Sequence, residues 1–117
     1  MTKGDIYLVD FGTTKDSFSF GKKRPVLIFQ TNKLNYAISE GLYEYLLVIP
    51  LSTQNDILTS DFRVKITKRE ELKEDSYAVF NSICFLHKRY FIKKLATLNK
   101  KEIQKIEKVL KDVFDIK

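Results

Sequence analysis

Two short stretches, "GKKRP" (21–25) and "VIPLSTQ" (48–54), hold the residue types in this chain best suited to polar chemistry. Arg24 stands directly before Pro25 at the start of an apolar run, where the backbone is restrained and the guanidinium is free to reach outward. Ser52, Thr53 and Gln54 leave the end of another apolar run. If both runs are strands of one small barrel, their ends can meet at one rim. A guanidinium facing a hydroxyl there would suit a phosphodiester: the cation neutralises charge developing on the phosphoryl oxygens, and the hydroxyl orients an oxygen.

Other chemistries find less support. Asp5 and Asp10 flank the first apolar run, and turn or edge duty is the expectation for both. The single histidine, His87, lies in "FLHKRY" with no nucleophile elbow nearby, so it reads as a surface-turn residue more readily than a catalytic one. Cys84 is the only cysteine, which excludes an internal disulfide and suggests a small core hydrophobe. No Cys/His cluster has metal-ligand spacing, so no metal site and no cofactor are expected. Phe18 and Phe20 in "SFSFGKKRP" are either rings that stack on a ligand or rings tucked back onto the core.

The elements that must position these residues follow from pattern. "DIYLVDF" (5–11) mixes β-branched and aromatic residues and stops at Gly12, so it reads as a first strand. Residues 12–24 then form a long loop. "RPVLIFQTN" (24–32) reads as a strand buried on both faces, with Pro25 expected at its first residue because proline lacks the backbone donor. Residues 33–43 read as a second long connection. "YEYLLVIPL" (43–51) is a third strand, expected to break or bulge at Pro50, and "FRVKI" (62–66) alternates cleanly, leaving one face wet. "KREELKED" (68–75) could make one helical turn, while "YAVFNSICFLH" (77–87) and "YFIKKLATL" (90–98) are further strand candidates.

The tail changes period. Ile103, Ile106, Val109, Leu110, Val113 and Phe114 recur at three- and four-residue spacing, which predicts an amphipathic helix. Asn99 with Glu102 fits an N-cap and capping box. The lysines of this tail read as its solvated face. Five or six strands, long loops and one closing helix indicate an α+β domain, most simply a small curled antiparallel barrel.

With 117 residues, 44% hydrophobic and 31% charged, the chain has globular composition and reads as one domain, 1–117. No stretch approaches the ~20 apolar residues of a membrane span, and the first residues lack a cleavable leader pattern, so a cytoplasmic protein with no membrane association is expected. The net charge of +6 permits phosphate-backbone binding without requiring it.

Taken in order, "GDIYLVDFG", "GKKRPVLIFQTN", "VIPLSTQ", "FRVKI", "LKEDSYAVFNSI" and "LATLNKKEIQKIEKVLKDVF" resemble the MazF/PemK family of toxin endoribonucleases over nearly the whole chain. The resemblance implies an SH3-like antiparallel barrel of five to seven strands with a C-terminal helix, acting as a homodimer. It implies metal-independent cleavage of single-stranded RNA, usually mRNA, at short sequences. In that reaction the ribose 2′-OH attacks the adjacent phosphate and leaves a cyclic phosphate and a free 5′-OH. It also implies a cognate antitoxin as partner.

By this resemblance the catalytic arginine falls on Arg24 and the catalytic hydroxyl on Ser52, with Thr53 as its neighbour and substitute. Asn81 and His87 could serve catalysis or RNA binding. Phe18, Phe20, Lys22, Lys23, Gln54 and Ser82 would contact RNA, the lysines as accessory phosphate contacts. The chain departs from many members at Asn81, Ser82, Ile83 and Cys84, where an acid–glutamine pair is followed by isoleucine or proline and then arginine. In the PemK branch, Val79 stands for an arginine and Asn81 for an acidic residue. An RNA- or protein-binding module on the same fold is the alternative these departures raise.

Overall fold

A computed structural model of the chain describes residues 1–11, 23–54 and 62–117. Seven strands and two α-helices follow in the order β1 (Asp5–Asp10), β2 (Lys23–Ile28), α1 (Asn32–Ser39), β3 (Tyr45–Ser52), β4 (Arg63–Ile66), β5 (Ser76–Val79), β6 (Cys84–His87), β7 (Phe91–Thr97) and α2 (Lys100–Val113). All strand pairings are antiparallel, in the order β4-β5-β3-β2-β1-β7, with β6 also pairing β3. Among the described residues no ladder joins β4 to β7, so the barrel is a curled sheet left open.

The central strands are apolar on both faces because each face covers its own cluster. Ile6, Leu27, Ile49, Leu51, Ile66 and Ile106 belong to the larger core, against which α2 packs. Val9, Val26, Ile28, Leu46 and Val48 point the other way, into a smaller cluster with Ile38 of α1. The terminal helix forms as its sequence requires: Asn99 accepts from the Glu102 N–H and Glu102 accepts from the Asn99 N–H, both at 2.9 Å. Glu102 also holds Arg69, at 2.5 and 2.6 Å, so one side chain both caps the helix and ties it to the sheet.

Several local expectations are corrected. The 33–43 connection contains α1, which buries Ile38 in the smaller cluster and is further tied down by polar contacts that a hydrophobic pattern does not show. Buried Gln30 donates to Asn35 at 2.8 Å and accepts from the Leu47 N–H at 2.9 Å, while Asn35 donates to Asn32 at 2.9 Å. Residues 68–75 make a tight turn closed by an Arg69–Leu72 bridge, with Glu70 at φ 50°, and not a helical turn. The 77–87 segment is two strands separated by a 3-10 turn at Phe80–Ser82, and these pair with different stretches of β3. Pro25 is the third residue of β2, and β3 runs through Pro50 unbroken to Ser52.

Candidate active site

Strand register decides which side chains can act together. Arg24 pairs with Val9 across β1–β2, and Val26 pairs with Pro50 across β2–β3. The β2–β3 ladder ends there; strand alternation puts Arg24 and Ser52, each two residues beyond that last pair, on the face of Val26 and Pro50. Ser52 in turn pairs with Tyr77, and Tyr77 with Lys65. One row across three strands therefore carries Ser52, Tyr77 and Lys65, with neighbouring backbones about 4.8 Å apart, and Arg24 stands on the same face near the start of β2. Arg24 and Ser52 are both half-buried, as a strand-end site requires.

The hydroxyl of Ser52 is already engaged. Its Oγ accepts the Gln54 N–H at 3.1 Å, and the Gln54 carbonyl accepts from Arg63 Nη1. That contact uses one of the two lone pairs and leaves the other and the proton, and it is the proton that can be donated to a ligand oxygen.

Thr53, one residue on, turns to the opposite face. It lines an open cleft of about 550 Å³ with Lys23, and Arg24 borders this cleft at the strand end. Leu8, Pro25 and Leu51 form its apolar floor, and Lys73, Lys93, Glu71 and Glu74 its charged rim. Lys93 is paired with Glu71 at 3.2 Å. The structure thus brings Arg24, Ser52, Thr53, Lys23 and Gln54 to one end of the sheet.

Other expected residues lie apart. Asn81 is exposed in the 3-10 turn and lines a smaller cleft of about 260 Å³ with Phe62, Arg63, Asp112 and Val113. Ser82 follows it, half-buried, and neither lines the cleft beside Arg24. His87 ends β6 opposite Tyr45, seven residues from Ser52 along β3, or about 23 Å at the rise of a strand. There its Nδ1 accepts the Arg89 N–H at 3.0 Å, its Nε2 lies 3.5 Å from Glu44, and its ring meets Tyr45 edge-on. It is the turn residue the sequence suggests. Phe18, Phe20 and Lys22 lie outside the described residues.

Asp5 and Cys84 have structural surroundings. Burial pushes the Asp5 carboxyl up, but hydrogen bonds from the Thr2 N–H and Thr97 Oγ1 and the charge of Lys94 outweigh it, so its pKa sits below the usual range. Burial raises the Cys84 thiol, which packs against the smaller core cluster. Among the described residues, no group of three or more His, Cys, Asp or Glu could hold a metal ion. No described helix is long and apolar enough to cross a membrane.

Three residues near Ser52 were not singled out by sequence reasoning: Arg63, Lys65 and Tyr77. Alternation in "FRVKI" marks Arg63 and Lys65 as sharing the wet face, but only the β4–β5–β3 pairing reveals that this is the Ser52 face.

Residues 2–114 match the family described as PemK-like, MazF-like toxin of type II toxin-antitoxin system, and the chain belongs to that family. No curated protein matches its sequence significantly. Among solved structures it is similar to an endoribonuclease in complex with its cognate antitoxin from a mycobacterial species, with TM-score 0.76 and 18% identity over 100% of this chain and 97% of that one. It is also similar to Mycobacterium tuberculosis toxin MazF-mt6, with TM-score 0.74 and 15% identity over 97% of this chain and 98% of that one. A third is MazE-MazF from Deinococcus radiodurans, with TM-score 0.73 and 14% identity over 100% and 97% of the two chains. At these identities the likeness is one of fold.

Proposed function

We propose that this protein is a toxin endoribonuclease that cleaves single-stranded RNA, and that Arg24 and Ser52 carry the reaction. The observation that supports this is that both stand on one face near the neighbouring ends of the paired strands β2 and β3, in a chain of a toxin family. The ribose 2′-OH gives its proton to water and its oxygen bonds to phosphorus; the P–O5′ bond breaks and O5′ takes up a proton from water, so the step is a transesterification with no net proton change. The products are a 2′,3′-cyclic phosphate and a 5′-OH. As charge builds on the equatorial oxygens, the Arg24 guanidinium neutralises it and the Ser52 hydroxyl donates a hydrogen bond to one of them. Tyr77, beside Ser52, offers a face on which a splayed base can stack. Lys23, Lys65 and Thr53 add phosphate contacts that position without specifying.

Protein partners belong to the same proposal. A groove of about 380 Å³ is lined by Leu34, Tyr43, Tyr45 and Phe85, all exposed, and unpaired apolar surface of this kind supports association with a second copy or with an antitoxin. The mechanism is tested with an RNA oligonucleotide carrying one 2′-deoxy nucleotide at the cleaved position, in EDTA. The expected result is no cleavage there and cyclic-phosphate ends on the unmodified control. Cleavage of the deoxy substrate would exclude 2′-OH attack, and tight binding of RNA without turnover would favour a binding module.

A further inference from the structure

We propose that Arg63, at the start of β4, is a positioning residue for the Ser52 hydroxyl. The inference rests on the assignment of Ser52 made above. Both polar groups of the Gln54 main chain are pinned: the N–H by Ser52 Oγ at 3.1 Å, and the carbonyl by Arg63 Nη1. Arg63 reaches that carbonyl across β5. It pairs with Val79 of β5, and β5 lies between β4 and β3, pairing Tyr77 with Ser52. Alternation turns Arg63 and Lys65 toward the Ser52 face, while Val64 and Ile66 enter the core.

The setting of this guanidinium argues for a purpose beyond solubility. Arg63 is half-buried, its Nε is buried without a hydrogen-bond partner, and no carboxylate among the described residues lies within 4.0 Å of it. A half-buried cation with an unmet donor is destabilising by itself. Among the described residues its side-chain hydrogen bond goes to the segment that carries the serine. Serine lacks the β-methyl that restricts threonine at χ1, so its rotamer depends on the peptide it bonds. The carbonyl that Arg63 holds belongs to the peptide following Gln54 and the N–H that Ser52 accepts to the one preceding it, so the two contacts together fix the backbone on either side of the Gln54 Cα, and with it the N–H that orients the Ser52 hydroxyl.

The test is single-turnover cleavage of RNA by the wild type, Arg63→Ala, Arg63→Lys, Ser52→Ala and the Arg63→Ala/Ser52→Ala double variant, each checked by thermal melting. Removing Arg63 is expected to lower kcat by about 10- to 100-fold with little change in KM, on the scale of a misplaced catalytic group. Lysine, which can still donate to the carbonyl, should recover most of the loss. In the Ser52→Ala background the further loss of Arg63 should change nothing. An equal loss in that background, an effect confined to KM, or an undiminished rate would overturn the positioning role. Amide exchange at Gln54 reads the same contact without RNA: it should speed up in Arg63→Ala and stay near wild type in Arg63→Lys. Unchanged protection in Arg63→Ala would overturn the proposal even if the wild type cuts no RNA, an outcome that would sink the parent assignment separately.

Discussion

At the scale of single residues, the proposed chemistry divides the labour between Arg24 and Ser52. In that proposal the guanidinium brings charge, and the serine, which accepts the Gln54 N–H, brings a hydrogen-bond donor. Replacing Ser52 with alanine should therefore lower kcat by about 10²- to 10³-fold, the usual loss for one donor to a developing oxyanion. Threonine keeps the hydroxyl and adds a restraining methyl, so Ser52→Thr should stay within a few-fold of the wild type. Comparing the three rates under single-turnover conditions checks this; an alanine variant as fast as the wild type would remove Ser52 from the mechanism. Arg24 and Ser52 stand out in the sequence as polar residues at the ends of apolar runs, and the family resemblance is what singles them out as the reacting pair. Arg63 and Tyr77 do not stand out, because their meaning comes from strands far apart in sequence. Asn81 was singled out by the family resemblance and His87 by residue type; Asn81 lines a cleft with Arg63, and His87 ends β6 opposite Tyr45.

At the scale of elements, what could be read in advance was what hydrophobic periodicity encodes. Helix α2 has its stripe and its capping box, and both are present. Helix α1 is tied to the sheet by an amide network running from exposed Asn32 through buried Asn35 and Gln30, which no hydrophobic pattern reveals. The Gly-Asp pair at 4–5 acquires a structural reason. Gly4 sits at φ +96°, and a Cβ there would lie 2.8 Å from Ile103 Cδ1 of α2. Gly4→Ala should destabilise the fold by roughly 2–4 kcal/mol, combining backbone strain with overpacking, and urea titration measures it. A change under 0.5 kcal/mol would mean that α2 is not seated this closely.

The same junction sets the response to acid. The hydrogen bonds and charge of Arg69 lower the Glu102 pKa against the opposing effect of burial, and Asp5 is lowered as well. Carboxyls depressed in the folded state stabilise it fully above their unfolded pKa of about 4, and that stability is lost as pH falls from there through the folded values. The melting temperature should therefore drop below about pH 4, and less steeply in Glu102→Gln, whose starting stability is lower. Identical acid profiles for the two proteins would show that this contact does not tie the helix down.

At the scale of the whole molecule, the open sheet separates two jobs. One face and α2 form the larger core, while the other face carries a smaller core that gives way, at the strand ends, to Arg24 and Ser52. The order of segments along the chain was enough to indicate the family, and the α+β barrel-like fold followed from it. Register was not readable, because a one-residue slip exchanges the faces of a strand and local composition cannot exclude it. The direct test of the account is the single-turnover rate on mixed-sequence RNA, in EDTA, for the wild type and Arg24→Ala at matched thermal stability. The account predicts cleavage by the wild type and a rate lower by about 10²-fold or more in the variant; equal cleavage by both, or by neither, would contradict it.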